Sequence, residues 1–364
     1  MSERFLQRMA RAAEEAARRD MAALVITPSP DYRYLTGYEP PLLERLTALV
    51  IRPGADPVLV VPELEAPLAA ASPVGGGVEV LSWRDGVDPY ELTARLLWAG
   101  GEVGANDRMW ASHLLELQRA AGGASFASAG AVLAPLRMRK DPEELELLSR
   151  AAHAADRAFA RIREERLADR REVEVSRRLG ELLVEEGHDR ADFAIVASGA
   201  NGASPHHDPG DRTIGPGDVV VMDFGGQLGG YFSDITRTVA LAEQPTDAGE
   251  VHAIVREAQE AGFRAVGPGV PAQEVDRAVR RVIERAGYGD RFIHRTGHGI
   301  GLDVHEAPYI VEGNEETLAD GMCFSIEPGV YLEGRFGVRI EDIVAVTGGG
   351  GRRLNEAPRE LLVQ

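Results

Sequence analysis

The residues best suited to chemistry in this sequence are carboxylates that close apolar runs. Val219-Val220-Val221-Met222 leads directly into Asp223, and the segment Tyr231 to Thr236 returns with Asp234. A fold about Leu228 and Gly229 is predicted to make these a hairpin, with Asp223 opposite Asp234. The pattern recurs downstream, where Phe324-Ser325-Ile326 ends in Glu327 and the stretch Val338 to Ile343 carries Glu341. Like charges facing each other across a strand pair repel. Buried carboxylates need a cation or a shared proton. Four of them on a shared sheet therefore point to divalent metal. Oxygen donors suit Mn²⁺ or Mg²⁺, and an added imidazole admits Zn²⁺, Co²⁺ or Fe²⁺.

Imidazoles are close at hand. The run His294-Arg295-Thr296-Gly297-His298-Gly299-Ile300-Gly301-Leu302-Asp303-Val304-His305-Glu306 holds three histidines. Its glycines argue against a regular helix and permit close backbone approach to a ligand. His206 and His207 follow Pro205 ahead of the first hairpin, so five of the nine histidines lie in these two segments. His113, His153, His188 and His252 fall in helical patterns and read as ordinary. Taken singly, an Asp at a strand end is usually a turn or cap residue, and a loop His is usually structural or solvated. The argument rests on the combination. The chain has no Gly-x-Ser-x-Gly, no His-Glu-x-x-His and no P-loop. The stretch Gly297 to Gly301 lacks the spacing and preceding strand of a dinucleotide fingerprint.

The elements that must carry these groups follow from periodicity. Asp141-Pro142-Glu143-Glu144 opens a long helix with an acidic cap, Pro at the first turn and Glu at the third position. Leu145, Leu148, Ala152, Ala155, Phe159 and Ile162 then give it one buried face. A second helix over 172–186 and a hairpin over 218–241 complete a unit. Helices over 247–264 and 271–286 and a hairpin over 321–347 repeat the order, which suggests a pseudo-two-fold α+β domain. Upstream, a helix over 4–18 and short strands such as 22–26, 48–51 and 58–61 alternate in an α/β domain. The expected boundary divides 1–134 from 135–364, consistent with 364 residues forming two domains.

Composition narrows the partners. The net charge of -18 disfavours nucleic acid and anionic membrane. The single cysteine, Cys323, sits in an apolar run and reads as a buried structural thiol. The charged stretch Met1 to Asp20 has no apolar core of a signal peptide, and no run is long enough to span a membrane. A cytoplasmic protein is expected.

The segment His294 to Glu306, with the four carboxylates around it, resembles the signature of the pita-bread metallopeptidases, the family of prolidase, aminopeptidase P and methionine aminopeptidase. Residues from about 135 resemble the catalytic domain. Residues 1–132, with Tyr34-Leu35-Thr36-Gly37-Tyr38, resemble a creatinase-type N-terminal domain, which argues against methionine aminopeptidase. The resemblance implies two divalent metal ions, with Mn²⁺ favoured over Co²⁺, Zn²⁺ or Fe²⁺, held by Asp223, Asp234, His298, Glu327 and Glu341. It further implies that Glu327 moves the proton, that His294 and His305 contact substrate or intermediate, and that His206 does so in preference to His207. Arg339 would orient or screen the carboxylates. The implied reaction is hydrolysis of the bond preceding proline in a homodimer. The short chain and compact second hairpin favour dipeptides over the longer peptides of an aminopeptidase P; a small-metabolite amidohydrolase is a further alternative. A creatinase-like hydrolase without metal and a non-enzymatic binding protein are both disfavoured, because relatives of those kinds lose ligands that this chain keeps.

Overall fold

A computed structural model describes residues 2–41, 43–97 and 100–364. The chain forms two compact units, Met1–Arg137 and Met138–Gln364.

The first unit is α/β. Its elements run α1 (Ser2–Arg18), β1 (Met21–Ile26), α2 (Pro30–Thr36), β2 (Ala48–Ile51), β3 (Val58–Pro62), α3 (Ala66–Ala71), β4 (Glu79–Trp83), α4 (Pro89–Ala94), β5 (Gly101–Ala105), α5 (Ala111–Ala120), β6 (Ala124–Ser128) and α6 (Gly130–Met138). The strands lie in one sheet ordered β4-β3-β2-β1-β5-β6. The pairings β1–β2 and β2–β3 are antiparallel; β3–β4, β1–β5 and β5–β6 are parallel. The central strands are apolar along their length because both faces are covered, and β2 and β3 are buried at every position.

The second unit holds two helix-pair-and-sheet halves. In the first, α7 (Pro142–Ile162) and α8 (Glu172–Glu185) back a sheet made of β7 (Arg190–Ser198), β8 (Val219–Leu228), β9 (Tyr231–Phe232) and β10 (Ile235–Ala240). The start of α7 is a capping box. Asp141 Oδ1 accepts from the Glu144 amide at 3.0 Å and Glu144 Oε2 accepts from the Asp141 amide at 3.0 Å, a device worth about 1 kcal/mol. In the second half, α9 (Ala248–Ala265) and α10 (Ala272–Arg285) back β11 (Gly297–Gly299), β12 (Glu306–Ile310), β13 (Cys323–Ile326), β14 (Gly329–Leu332), β15 (Phe336–Arg339), β16 (Asp342–Thr347) and β17 (Gly350–Arg353). A short β18 (Leu362–Val363) returns to pair with β10. Each half has its own core: Phe159, Leu179, Val220 and Phe224 in the first, and Val255, Val279, Phe324 and Ile340 in the second.

Several details depart from the sequence reading. The first hairpin turns on Gly229 and Gly230, both at positive φ (60° and 89°), which favours glycine. Asp223 pairs with Thr236 and not with Asp234, which lies in the gap between β9 and β10. The strand β7, on the other edge of β8, is unanticipated. The second hairpin is interrupted: β13 pairs with β16, while β14 and β15 form a nested pair. His188 lies just past the turn that ends α8 instead of within a helix. Among the described residues no helix is long and apolar enough to cross a membrane.

Candidate metal centre

The strand β8 carries Asp223 up from the first core, and the break after β9 turns Asp234 inward, leaving it 4 % exposed. Beside them β11 delivers His298, 3 % exposed. Only glycine fits next to it: a Cβ on Gly297 would sit 1.9 Å from the Ser325 carbonyl oxygen. Ser325 Oγ accepts from the His298 amide at 3.0 Å and donates to Glu327 Oε1 at 3.0 Å, so one hydroxyl sets two site residues. His298 Nε2 then lies 3.3 Å from Glu327 Oε1 and 3.7 Å from Asp234 Oδ2. Glu341 enters between β15 and β16. Its amide donates to the Thr236 carbonyl at 3.1 Å, and its Oε2 accepts from Thr236 Oγ1 at 2.7 Å. That contact joins the two half-sheets at the site itself.

The electrostatics are those of an anion cluster in need of positive charge. Burial pushes the Asp234 carboxyl well above its usual range, with further pressure from Glu341, Asp223 and Glu327. Burial, then Glu327 and Asp223, does the same to Glu341. Burial lifts Glu327 to about 7, against the opposing pull of Arg339. His298 is driven down to about 3 by burial and by His305, so it presents a neutral imidazole. Asp223 Oδ1, Asp234 Oδ1 and Glu341 Oε1 are buried with no hydrogen-bond partner among the described residues, an expensive arrangement for lone pairs of this kind. One ligand atom each from Asp234, His298 and Glu341 lies within 4.8 Å of the others. Carboxylate oxygens with one neutral imidazole are a donor set for divalent ions, and the orphaned oxygens are the lone pairs such ions would take.

The surrounding shell is equally specific. Arg339, 3 % exposed, donates from Nη2 to Asp223 Oδ2 at 2.6 Å, from Nε to Thr236 Oγ1 at 3.2 Å and from Nη1 to the Tyr331 hydroxyl at 3.0 Å. His294 is held near a pKa of 4, chiefly by burial. With Nδ1 donating to the Arg295 carbonyl at 2.7 Å, its Nε2 accepts from Tyr331 at 2.8 Å. Both ring nitrogens of His294 are thus engaged within the protein. His305 is exposed, and its ring meets His298 edge-on at 4.0 Å between centroids.

All nine candidate site residues line or abut one cavity of about 240 Å³, with Phe193, Ile195 and Val304 as its apolar wall. His206 is among the lining residues, whereas His207 turns away and pairs through Nε2 with buried Glu172 at 2.9 Å. Glu172 also accepts from the Ser198 amide and hydroxyl at 2.7 Å each and from Asn201, which fixes the loop bearing both histidines. Sequence reasoning missed Tyr331, Glu172 and Ser325. Only Ser325 had a visible signal, a hydroxyl inside the apolar run two residues before Glu327.

Comparison with known proteins agrees with this architecture. Residues 146–348 match metallopeptidase family M24, and residues 8–139 match the creatinase/prolidase N-terminal domain. A protein of Mycobacterium tuberculosis named probable dipeptidase PepE is 45% identical over 365 residues, covering 100% of this chain and 97% of that protein. The Xaa-Pro dipeptidase of Lactobacillus helveticus is 37% identical, covering 91% of each chain. The crystal structure of a recombinant prolidase from Thermococcus sibiricus superposes with a TM-score of 0.93 at 38% identity, covering 99% of both chains.

Proposed function

Because the chain belongs to metallopeptidase family M24, we propose that it is a metal-dependent hydrolase of Xaa-Pro dipeptides, with Asp223, Asp234, His298, Glu327 and Glu341 as the ligands of two divalent ions, Mn²⁺ by preference. The carrying observation is the set of buried, unpartnered carboxylate oxygens around a neutral His298 at the base of one small cavity. Its volume of about 240 Å³ lies below the roughly 300–1,000 Å³ typical of sites for drug-sized ligands, which favours a dipeptide over a longer chain.

Two such ions would polarise the scissile carbonyl and make a water acidic enough to attack it near neutral pH. Glu327, which lines the cavity and is oriented by the Ser325 hydroxyl at 3.0 Å, would take the proton of the attacking water and hand it to the proline nitrogen, which leaves poorly until protonated. His206 and His305, both exposed at the cavity, would donate to the carbonyl oxygen as charge develops there. His294 would contribute by holding Tyr331, its ring lining the cavity that substrate would enter. Arg339 holds Asp223 in place and offsets the summed negative charge. A division near residues 134/135, a cytoplasmic location and a homodimeric state belong to this reading. The family matches ending at 139 and beginning at 146, and the single buried thiol, support the first two.

The deciding experiment strips the purified protein with chelator, restores Mn²⁺ or Co²⁺, and assays Ala-Pro beside Ala-Pro-Ala. Metal-dependent cleavage of the dipeptide alone is expected. Preferential cleavage of the tripeptide would overturn the dipeptide reading and make the protein an Xaa-Pro aminopeptidase, and failure to take up metal would overturn the centre itself.

A further inference from the structure

The chain carries 40 lysines and arginines together, and Lys140 is the single lysine among them. It is also among the most buried cations, its side chain 1% exposed. Nζ donates to Glu306 Oε1 at 2.7 Å, and the Met138 carbonyl lies 3.4 Å away. The backbone of Lys140 is itself pinned, its amide donating to the Gly321 carbonyl at 2.9 Å at the approach to β13. Everywhere else the chain uses guanidinium. A planar fork is wider than an ammonium and cannot present a single point charge, so arginine is not an equivalent partner for Glu306.

Glu306 explains why that matters. It closes the turn that begins at Gly301, and its carboxylate fills the space a side chain there would need: a Cβ on Gly301 would sit 2.7 Å from Glu306 Oε1. The Asp303 amide reaches Glu306 Oε2 at 3.4 Å. The Gly301 carbonyl accepts from the Phe232 amide at 2.9 Å, two residues before Asp234. The Ile300 amide, two residues after His298, donates to the Cys323 carbonyl at 3.2 Å. His305 immediately precedes Glu306. One ion pair therefore clamps the turn to which the Asp234 segment, the His298 strand and His305 are all attached.

We propose that Lys140 is a positioning residue of the metal centre, acting through Glu306 to hold the turn Gly301 to Glu306 and thereby the spacing of Asp234, His298 and His305. The proposal rests on the metal-centre reading above. Removing the cation alone strands a buried carboxylate, so the neutral pair K140M/E306Q is the principal variant, with K140R as the charge-retaining one. Each is stripped, checked for folding by circular dichroism, and titrated with Mn²⁺ by calorimetry; Ala-Pro kinetics are then measured at saturating Mn²⁺. Outer-shell partners typically govern metal affinity by roughly 10–100-fold, and a loss in that range is expected for both variants, with a fall in kcat that exceeds any rise in KM. Wild-type affinity and kcat in either folded variant would overturn the proposal, as would a lowered melting temperature with unchanged affinity, or failure of both variants to fold, since each makes the pair a folding determinant only. A wild-type protein that takes up no Mn²⁺ sinks the metal-centre reading and this inference together; normal uptake with unaltered variants sinks this inference alone.

Discussion

The two halves of the catalytic unit offer the same chemical groups by different backbone means. In the first half, Asp223 lies inside the unbroken ten-residue strand β8, and only Asp234 occupies a gap. In the second, both carboxylates sit at interruptions: Glu327 between β13 and β14, Glu341 between β15 and β16. Pro328 accounts for one break, since it has no amide to continue the ladder; its carbonyl instead accepts from Ile340 at 3.3 Å. A strand fixes a side chain to one face by alternation, whereas an interruption lets the chain aim a carboxylate independently of its neighbours. The first half thus supplies one carboxylate fixed by an interior strand, and the second supplies two that are aimed from interruptions.

The largest effect expected from this contrast concerns Glu327. If it carries the proton as well as metal, Glu327→Gln should lower kcat on Ala-Pro by about 10²–10⁴-fold even at saturating Mn²⁺. Asp234→Asn in the first half should cost chiefly metal affinity and recover a larger share of its activity as Mn²⁺ is raised. Titrating both variants with metal during turnover separates the two; equal recovery would remove the distinction between the halves.

A smaller effect is expected at the seam. Thr236 pairs with Asp223 in the first sheet, donates to Glu341 Oε2 and accepts from Arg339 Nε, so its hydroxyl links both halves. Thr236→Val keeps the shape and β-branching while deleting the link. A loss of roughly tenfold in Mn²⁺ affinity, at the low end for an outer-shell partner, is expected by calorimetry. Unchanged affinity would mean that the backbone bridge between Thr236 and Glu341 suffices alone.

The seam also marks how far the sequence was legible. Helix α7 could be read because its cap and its three-to-four residue apolar spacing are local, and Asp141, Glu144 and Phe159 serve in the structure as their positions suggested. The four carboxylates were visible for a similar reason: a charge ending an apolar run conflicts with its surroundings within a few residues. What could not be read is whatever pairs across long separations. The Asp223 register depends on the offset introduced between β9 and β10, where the Ser233 amide returns to Gly226, and no local pattern encodes that shift. His207 differs from His206 in being captured by Glu172, at the start of α8. The pairing of Lys140 with Glu306, 166 residues apart, is likewise made only by the fold.

The same contrast can be drawn with two buried histidines that looked alike in sequence. His188, in the first half, donates from Nδ1 to the Leu183 carbonyl at 3.1 Å and accepts at Nε2 from Ser233 Oγ at 2.8 Å, beside Asp234. His252, in α9 of the second half, is 4 % exposed and is driven to a pKa of about 4, first by burial and then by Arg256. The unfolded chain takes up this proton near pH 6.5, while the folded chain resists until about 4. His252 therefore supports the fold fully above pH 6.5 and progressively less as pH falls toward 4, a loss on the order of 2 kcal/mol by pH 5. His252→Gln cannot take the proton, so its melting temperature should fall less than that of the wild type between pH 7 and pH 5, with activity at pH 7 retained. Carboxylate titration at the metal centre is common to both proteins and cancels in that difference. His188→Gln should instead reduce activity at pH 7, because the hydroxyl it releases borders the Asp234 segment. Equal activity losses in the two variants would show that burial alone, and not attachment to the first hairpin, decides what these histidines do.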